Sequence, residues 1–510
     1  MTDVVASAAM SSATDSLAAR HLLRDDGQED LCFGLWHPSR GSTRTTALLS
    51  DLVLPVAGDR SVHGNVSFMP AFFERALRTA VESGAGLALL HSHPGGAGWQ
   101  GMSADDVAAE RGHAAAALAA TGRPLLGLTI AGDGAWSARA WPRVGPKRYE
   151  RRDSASVRVS GGAFRVTYND SQMPPPPTGR EEWRRSVAAW GAAVQANLAG
   201  LHVGLVGAGS VGSVVGEGLA RTGIGRVTVI DFDTVELLNL DRLLHGTRLD
   251  ALCHRSKAEV LGRAMRRGAT NPAFTAAEVE SGVTEERGYR TALDCDILVS
   301  CVDRPWARSV LNFISYAHLI PVVDGGIRVE VNSRGELKRA DWRAHVAAPG
   351  RLCLECLGQY DPAMVAVERD GYLDDPTYIQ GLPHDHLARR NENVFAFSVS
   401  AASFQLLQML LMALAPLGIA DAGAQMYHFV PGLLDEPRLG PCPTACPYGA
   451  MHAIGDDSTW SVTALHAAAE RARSDRAEAQ RKLPLGLRLA SWGRDCADWL
   501  ERSLVRRTVG

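Results

Sequence analysis

A chain of 510 residues with 46% hydrophobic content is long enough for about three domains with buried cores. Its net charge of −3 argues against a nucleic-acid-binding protein, and nine cysteines are too few for a disulfide scaffold. The opening MTDVVASAAMSSATDSL has no basic segment followed by an apolar core, so no secretory signal is expected and the chain reads as cytoplasmic, without a membrane partner.

After that small-residue tail, helical spacing begins over Leu17 to Arg24 and changes to a strand-like pattern in GQEDLCFGLW, with Glu29 at the junction. A helix is expected from about Pro70 to Ser83, and a buried strand over Leu87 to Leu90 runs into His91-Ser92-His93-Pro94. A glycine-rich loop then leads to Ser103-Ala104-Asp105-Asp106. Two histidines at i and i+2 leaving a strand, with a carboxylate at the start of a later helix, can supply three zinc ligands and leave the fourth position to water. Zinc lowers the pKa of bound water from about 15.7 to about 7, and a nearby carboxylate can take the proton and pass it to a leaving amine. Such a site cleaves amides.

The order glutamate, H-S-H-P, then S-x-x-D resembles the JAB/MPN (JAMM) metallopeptidases, which process or remove ubiquitin-like proteins. The resemblance implies a cytidine-deaminase-like α/β domain over residues 1–150, with catalytic zinc on His91, His93 and Asp106, Glu29 as general base and Ser103 as oxyanion stabiliser. Glu74 and Glu82 also precede the histidines, but both fall in the helical stretch. Nine residues separate His93 from Ser103, two more than the family pattern, with the surplus in Gly95 to Gly98. That longer loop leaves substrate preference open, and an isolated histidine pair would be only a turn.

Residues 151–182 end in four prolines and read as a semi-rigid spacer separating two active sites, although Ser156 to Thr167 could instead pack as a strand of the first domain. A helix from Trp183 to about Leu198 precedes the strand Val203 to Val206, after which Gly207-x-Gly209-x-x-Gly212 opens another helical pattern. Glycines in that setting let backbone N–H groups approach phosphate. The next strand, Val227 to Ile230, ends in Asp231, placed to accept hydrogen bonds from ribose hydroxyls. NAD and ATP are equally served to this point. Asp233, Asn239, Arg242 and Lys257 then crowd polar groups beside the phosphate end, which a hydride-transfer site does not need.

The pattern D-F-D-x-V-E-x-x-N-L-x-R, then Lys257, then Asp303 after DILVSC, resembles the ThiF/MoeB and ubiquitin-activating enzyme family over roughly 185–450. That implies a Rossmann-like fold with a mostly parallel sheet, adenylating the C-terminal glycine of a ubiquitin-like or sulfur-carrier protein with ATP and magnesium. Arg242 and Lys257 would hold phosphates, Asn239 would assist, Asp303 would hold magnesium, and Arg185 would reach ATP, often across a homodimer.

Cys353-x-x-Cys356 and Cys442-x-x-x-Cys446 have spacings suited to a closed structural zinc site, with one residue more in the second pair than the family uses. Cys253, beside His254 and Arg255, is the one candidate for an acyl-carrying thiol, while Cys295 and Cys301 read as core. The apolar window Phe404 to Leu417 contains Gln405, Gln408 and Pro416 and reads as a buried helix. The domain expectation is therefore 1–150 peptidase, 151–182 linker, 183–455 adenylyltransferase and a helical extension over 456–510, the last a solvated appendage or a docking surface carrying Trp492 and Trp499.

The combined reading is a two-headed enzyme of a bacterial ubiquitin-like pathway, phage defence among the settings such fusions suggest, with a conjugating-enzyme-like acceptor as a further partner. Maturation and adenylation of a sulfur carrier for thiocarboxylate formation is the alternative. An NAD-dependent oxidoreductase with a metal-binding appendage, and a scaffold with both sites inactive, are the readings from other classes.

Overall fold

The computed structural model describes residues 5–63, 65–381, 393–435, 440–458, 462 and 466–509. Two large mixed sheets organise the chain, and each is flanked by helices.

The N-terminal sheet has nine strands. In spatial order they are Arg152–Asp153, Trp136–Trp141, Leu125–Ala131, Gly86–His93, Leu31–Arg40, Thr45–Val53, Val5–Ser11, Ser156–Ser160 and Arg165–Tyr168. Two expectations are corrected here. The opening residues are not a tail, because Val5–Ser11 is an interior strand whose Ala8, Ala9 and Met10 are buried. Ser11 then caps a helix that starts at Ser12 and runs to Leu22. Alanine and serine carry little strand propensity of their own, and here pairing on both edges decides.

The spacer is likewise not 151–182. Ser156–Ser160 is buried at every residue and pairs in parallel with Val5–Ser11, while Arg165–Tyr168 closes that edge. Alternation is invisible in a strand covered on both faces, so polar composition misled.

The second sheet has eight strands, ordered Thr275–Val279, Arg226–Ile230, His202–Val206, Ile297–Ser300, Val322–Val331, Leu337–Ala347, Gln425–His428 and Leu433–Asp435. The first five are parallel and the rest antiparallel. Ligands in such sheets bind beyond the carboxyl ends of the parallel strands, and this places the glycine turn after Val206 at that end. The helix expected over 183–198 is broken: Arg184–Trp190 stops at Gly191, whose φ is 89°, and Ala192–Gly200 restarts after it.

Among the described residues one helix, Phe395–Leu414, is long and apolar enough to cross a membrane. Its Gln405 amide donates to the carbonyls of Ser300 and Val323, and Gln408 donates to that of Gly423. Those bonds tie its buried face to the sheet, as the glutamines suggested.

The halves are not held apart. Buried Asp296 accepts from the Arg44 guanidinium at 2.7 Å and from Arg158 at 3.4 Å, and Asp294 accepts the N–H groups of Thr43 and Arg44. Removing one partner of such a buried pair costs on the order of 3–5 kcal/mol. The C-terminal helices Ala467–Arg481 and Leu485–Val509 also pack on the second half, through Arg473 to Glu285 at 2.8 Å and Arg494 to Asp250 at 2.9 Å. Trp492 and Trp499 stay exposed on the outer face.

Candidate functional site

In the second half the glycine turn is shaped by close approach. A side chain at Gly212 would place its Cβ 1.9 Å from the carbonyl oxygen of Gly207, and one at Gly207, whose φ is 94°, would meet the carbonyl of Cys301 at 2.5 Å. At Gly209 a Cβ would meet nothing within 4 Å. Two glycines therefore close the turn, and the third leaves an open face at the N-terminus of the helix Ser210–Thr222, where backbone N–H groups and the helix dipole favour an anion.

Asp231 does more than the sequence reading asked of it. Its carboxylate accepts the N–H of Ala208 at 2.6 Å and that of Asp233 at 2.7 Å, bracing the turn from beneath. Burial, reinforced by the neighbouring charge of Asp233, pushes its carboxyl up to about 6. Lys257 opens the helix Lys257–Gly268, and its Nζ stands 2.8 Å from Asp233 Oδ2. Burial works against the ammonium, yet Asp233, Asp231 and Asp303 together hold it above the ordinary lysine range. Asp303 itself is exposed in the loop between Ile297–Ser300 and Pro305–Ala317.

Asn239 and Arg242 shape the following turn: Asn239 Oδ1 accepts the N–H of Glu236, and Arg242 Nη1 donates to the carbonyl of Leu238 and to Asp241. The N–H of Leu244 donates to Ser213 Oγ, which ties that turn to the glycine helix. Arg185 is exposed on the Arg184–Trp190 helix, and no described contact joins it to the glycine turn. Sequence reasoning missed Glu368. It accepts the N–H of Trp306 at 2.8 Å, caps the helix that follows Asp303, and is pushed up to about 7 by burial. Pro305 marks that helix start, but nothing local points to a partner 62 residues away.

In the first half His91 and His93 lie within the strand Gly86–His93, two apart and so on one face. Their Nε2 atoms are 3.3 Å apart, and the Asp106 carboxylate reaches them at 3.8 and 3.5 Å. Ser103 caps the helix Ala104–Thr121, accepting the Asp106 N–H on Oγ while donating its own N–H to Asp106 Oδ2, which aims the carboxylate. Burial, with Arg139 nearby, drops the His91 imidazole to about 3, so it is the neutral form a metal requires. The donor set fits a zinc ion, with two imidazoles and one carboxylate converging within 4.8 Å. Glu29 lines the same cleft, and burial, against the charge of His93, raises its carboxyl.

A buried chain the sequence did not disclose reaches the same His91 Nε2 atom. Glu110 pairs with Arg139, Arg139 donates to Thr129 Oγ1 at 2.5 Å, and Thr129 Oγ1 lies 3.3 Å from His91 Nε2. A carboxylate and a guanidinium 29 residues apart, with a hydroxyl between them in sequence, carry no local signature.

The four cysteine sulfurs also gather within 4.8 Å. Cys353 and Cys446 Sγ are 3.8 Å apart, too far for a disulfide, and Cys442 Sγ accepts the N–H of Cys353. Four sulfurs with backbone donors fit a closed tetrahedral zinc. Cys253 does not fit its suggested role. It is 2% exposed, its Sγ faces the carbonyl of Leu487, and Arg255 beside it turns instead to Asp495 and Glu259. Cys295 is core as expected, and Cys301 Sγ lies against Gln405.

Residues 183–373 match the ThiF family, so the central part of the chain is a ThiF/MoeB-type domain. The chain is similar to the adenylyltransferase and sulfurtransferase UBA4 of Yarrowia lipolytica, 28% identical over 38% of this chain and 45% of that protein. It is 33% identical to the molybdopterin-synthase adenylyltransferase of Escherichia coli, over 32% of this chain and 62% of that protein. The tRNA threonylcarbamoyladenosine dehydratase of Escherichia coli is 32% identical over 25% of this chain and 47% of that protein. The chain thus spans less than two thirds of these relatives. Among solved structures, E. coli MccB with MccA-N7isoASN aligns over 52% of this chain and 74% of that one, at 18% identity and a TM-score of 0.41.

Proposed function

We propose that the second half adenylates the C-terminal glycine carboxylate of a small sulfur-carrier or ubiquitin-like protein, and that the first half is a zinc hydrolase that exposes that carboxylate. The observation that carries the first part is Lys257, nearly buried and charged, set among Asp231, Asp233 and Asp303 beside an open glycine turn. Nicotinamide chemistry has no use for that lysine. The names of the first two relatives, both adenylyltransferases, support the same chemistry.

A carboxylate oxygen of the carrier would bond to the α-phosphorus of ATP as the bond to pyrophosphate breaks. Two anions meet in that step, so cationic and N–H donors carry most of the catalysis. Lys257 and the open N–H groups after Gly209 would hold phosphate oxygens, and Arg242 and Asn239 stand on the adjacent turn to do the same. Asp303 would hold magnesium, which supplies charge to the leaving pyrophosphate. In a homodimer, exposed Arg185 would serve the partner copy's nucleotide.

His91, His93 and Asp106 carry the second part, with zinc supplying an activated water. Glu29, whose carboxyl burial raises, lines the same cleft and would take a proton from that water and return it to the leaving amine.

Burial of Cys253 favours sulfur-carrier maturation over conjugation. Of the nine cysteines only Cys356 is exposed, and it belongs to the four-sulfur cluster. The adenylate would then pass to another protein, a conjugating-enzyme-like acceptor included, or to a small nucleophile. ATP–pyrophosphate exchange with glycine-ended carriers tests the first part; exchange that survives Asp303→Ala and Lys257→Ala would defeat it. Cleavage of a C-terminally extended carrier, abolished in Glu29→Gln, tests the second.

A further inference from the structure

In the chain's last third the four-cysteine cluster lies close in sequence to a segment that enters the seam between the halves. Ten residues lie between Cys446 and Asp457. After Cys446 the chain makes the short helix Pro447–Ala450, and Ala453 then enters a fully buried cluster with Ala9 and Leu48 of the first half and Leu319 of the second. The N–H of Ala453 donates to the carbonyl of Tyr316.

The turn Gly455–Asp457 goes further into the seam. A Cβ at Gly455 would stand 2.3 Å from the carbonyl oxygen of Pro38, so the backbones touch there, and φ is +53°. Asp456 accepts the N–H of Arg40 at 2.8 Å from the first half and the Arg290 guanidinium at 2.6 Å from the second. Asp457 takes His37 Nδ1 at 2.6 Å and Arg123 at 2.8 Å, both from the first half.

This segment is therefore a staple, and its upstream end is fastened by Cys442 and Cys446. We infer that metal held by Cys353, Cys356, Cys442 and Cys446 keeps the 447–457 segment seated between the halves, so that metal loss opens the seam along the strand Leu31–Arg40. A flexible chain with one end untied loses the entropic advantage that holds its other contacts in register. The Arg44, Arg158 and Asp296 network lies elsewhere in the interface and does not depend on the staple. Metal loss should then open one side of the seam without parting the halves. Chelation breaks the metal–sulfur bonds, the chelator takes the metal and the freed thiolates take up protons, with no redox step.

Amide hydrogen exchange on the full chain tests this, comparing the zinc-loaded protein with the same protein after chelation, metal content being measured alongside. Peptides covering 36–40 and 449–458 should exchange at least tenfold faster without metal, while peptides covering 202–206 keep their protection. Unchanged protection at 36–40 and 449–458 in protein shown to be metal-free would overturn the inference. So would loss of protection throughout, 202–206 included, since the cluster would then hold up the whole second half. Asp456→Ala with Asp457→Ala provides a second arm that leaves the four thiols intact. It should keep its zinc and still expose 36–40, and protection at 36–40 equal to wild type would sink the staple.

Discussion

Lys257 Nζ lies 2.8 Å from Asp233 Oδ2, and the Lys257 backbone N–H donates to the Asp233 carbonyl. The lysine is thus fixed at both ends to the loop that follows the glycine-turn strand pair, and its charge is set before any nucleotide arrives. In the proposed adenylation, pre-set charge beside the leaving pyrophosphate would be worth most where water is excluded.

Lys257→Ala should lower the ATP–pyrophosphate exchange rate by about 10²–10³-fold. Asp233 would be left without its cation, but it is partly exposed, so thermal stability should change little. A rate within a factor of two of wild type would remove Lys257 from the phosphate site.

The glycines of the turn should separate cleanly. Gly212→Ala must displace the Gly207 backbone, and its cost should fall within the roughly 1–3 kcal/mol typical of overpacking, read as a lowered urea midpoint. Gly209→Ala faces open space and should fold as wild type while weakening ATP binding, measured by calorimetry. Equal midpoints for the two variants would contradict the turn geometry.

Stability should fall in acid partly through Glu285. Burial opposes its charge, but Arg473 and the N–H groups of Gly282 and His466 outweigh it and hold the carboxyl at about 2, below its ordinary 4.5. A depressed carboxyl contributes stability that is complete above about 4.5 and is lost as pH falls toward 2. Glu285→Gln should therefore cost stability at pH 7, and the gap from wild type should narrow at pH 3, with the helix Ala467–Arg481 the first element to loosen. A gap that stays constant between the two pH values would rule this out.

Metal content should resolve into two independent sites. His93→Ala should lose one zinc equivalent with the thermal transition nearly unmoved, because the triad is a surface cleft. Cys353→Ser should lose the other and lower the transition, since a structural zinc contributes on the order of 10 kcal/mol. Loss of both metals in either variant would join sites that the fold keeps apart.

How much of this was legible beforehand depended on the distance over which each signal acts. That the glycine turn, Asp231, Asp233 and Lys257 come together was readable because strand, turn and helix are local. His91, His93, Ser103 and Asp106 were readable for the same reason, and the capping box that aims Asp106 is itself a four-residue pattern. Glu368, Thr129 and Arg139 were not, since each works through a partner far away in the chain.

The sequence by itself determined the two motif constellations, the paired cysteines and the α/β character of both halves, since periodicity and spacing are properties of a few consecutive residues. Only the tertiary structure decided that Val5–Ser11 and Ser156–Ser160 are neighbouring strands rather than a tail and a linker, that Cys253 is covered, and that the halves are joined by buried charge at Asp296. Each of these depends on which distant segment covers a residue. Burial is a property of the folded surroundings and is not written in the residue itself.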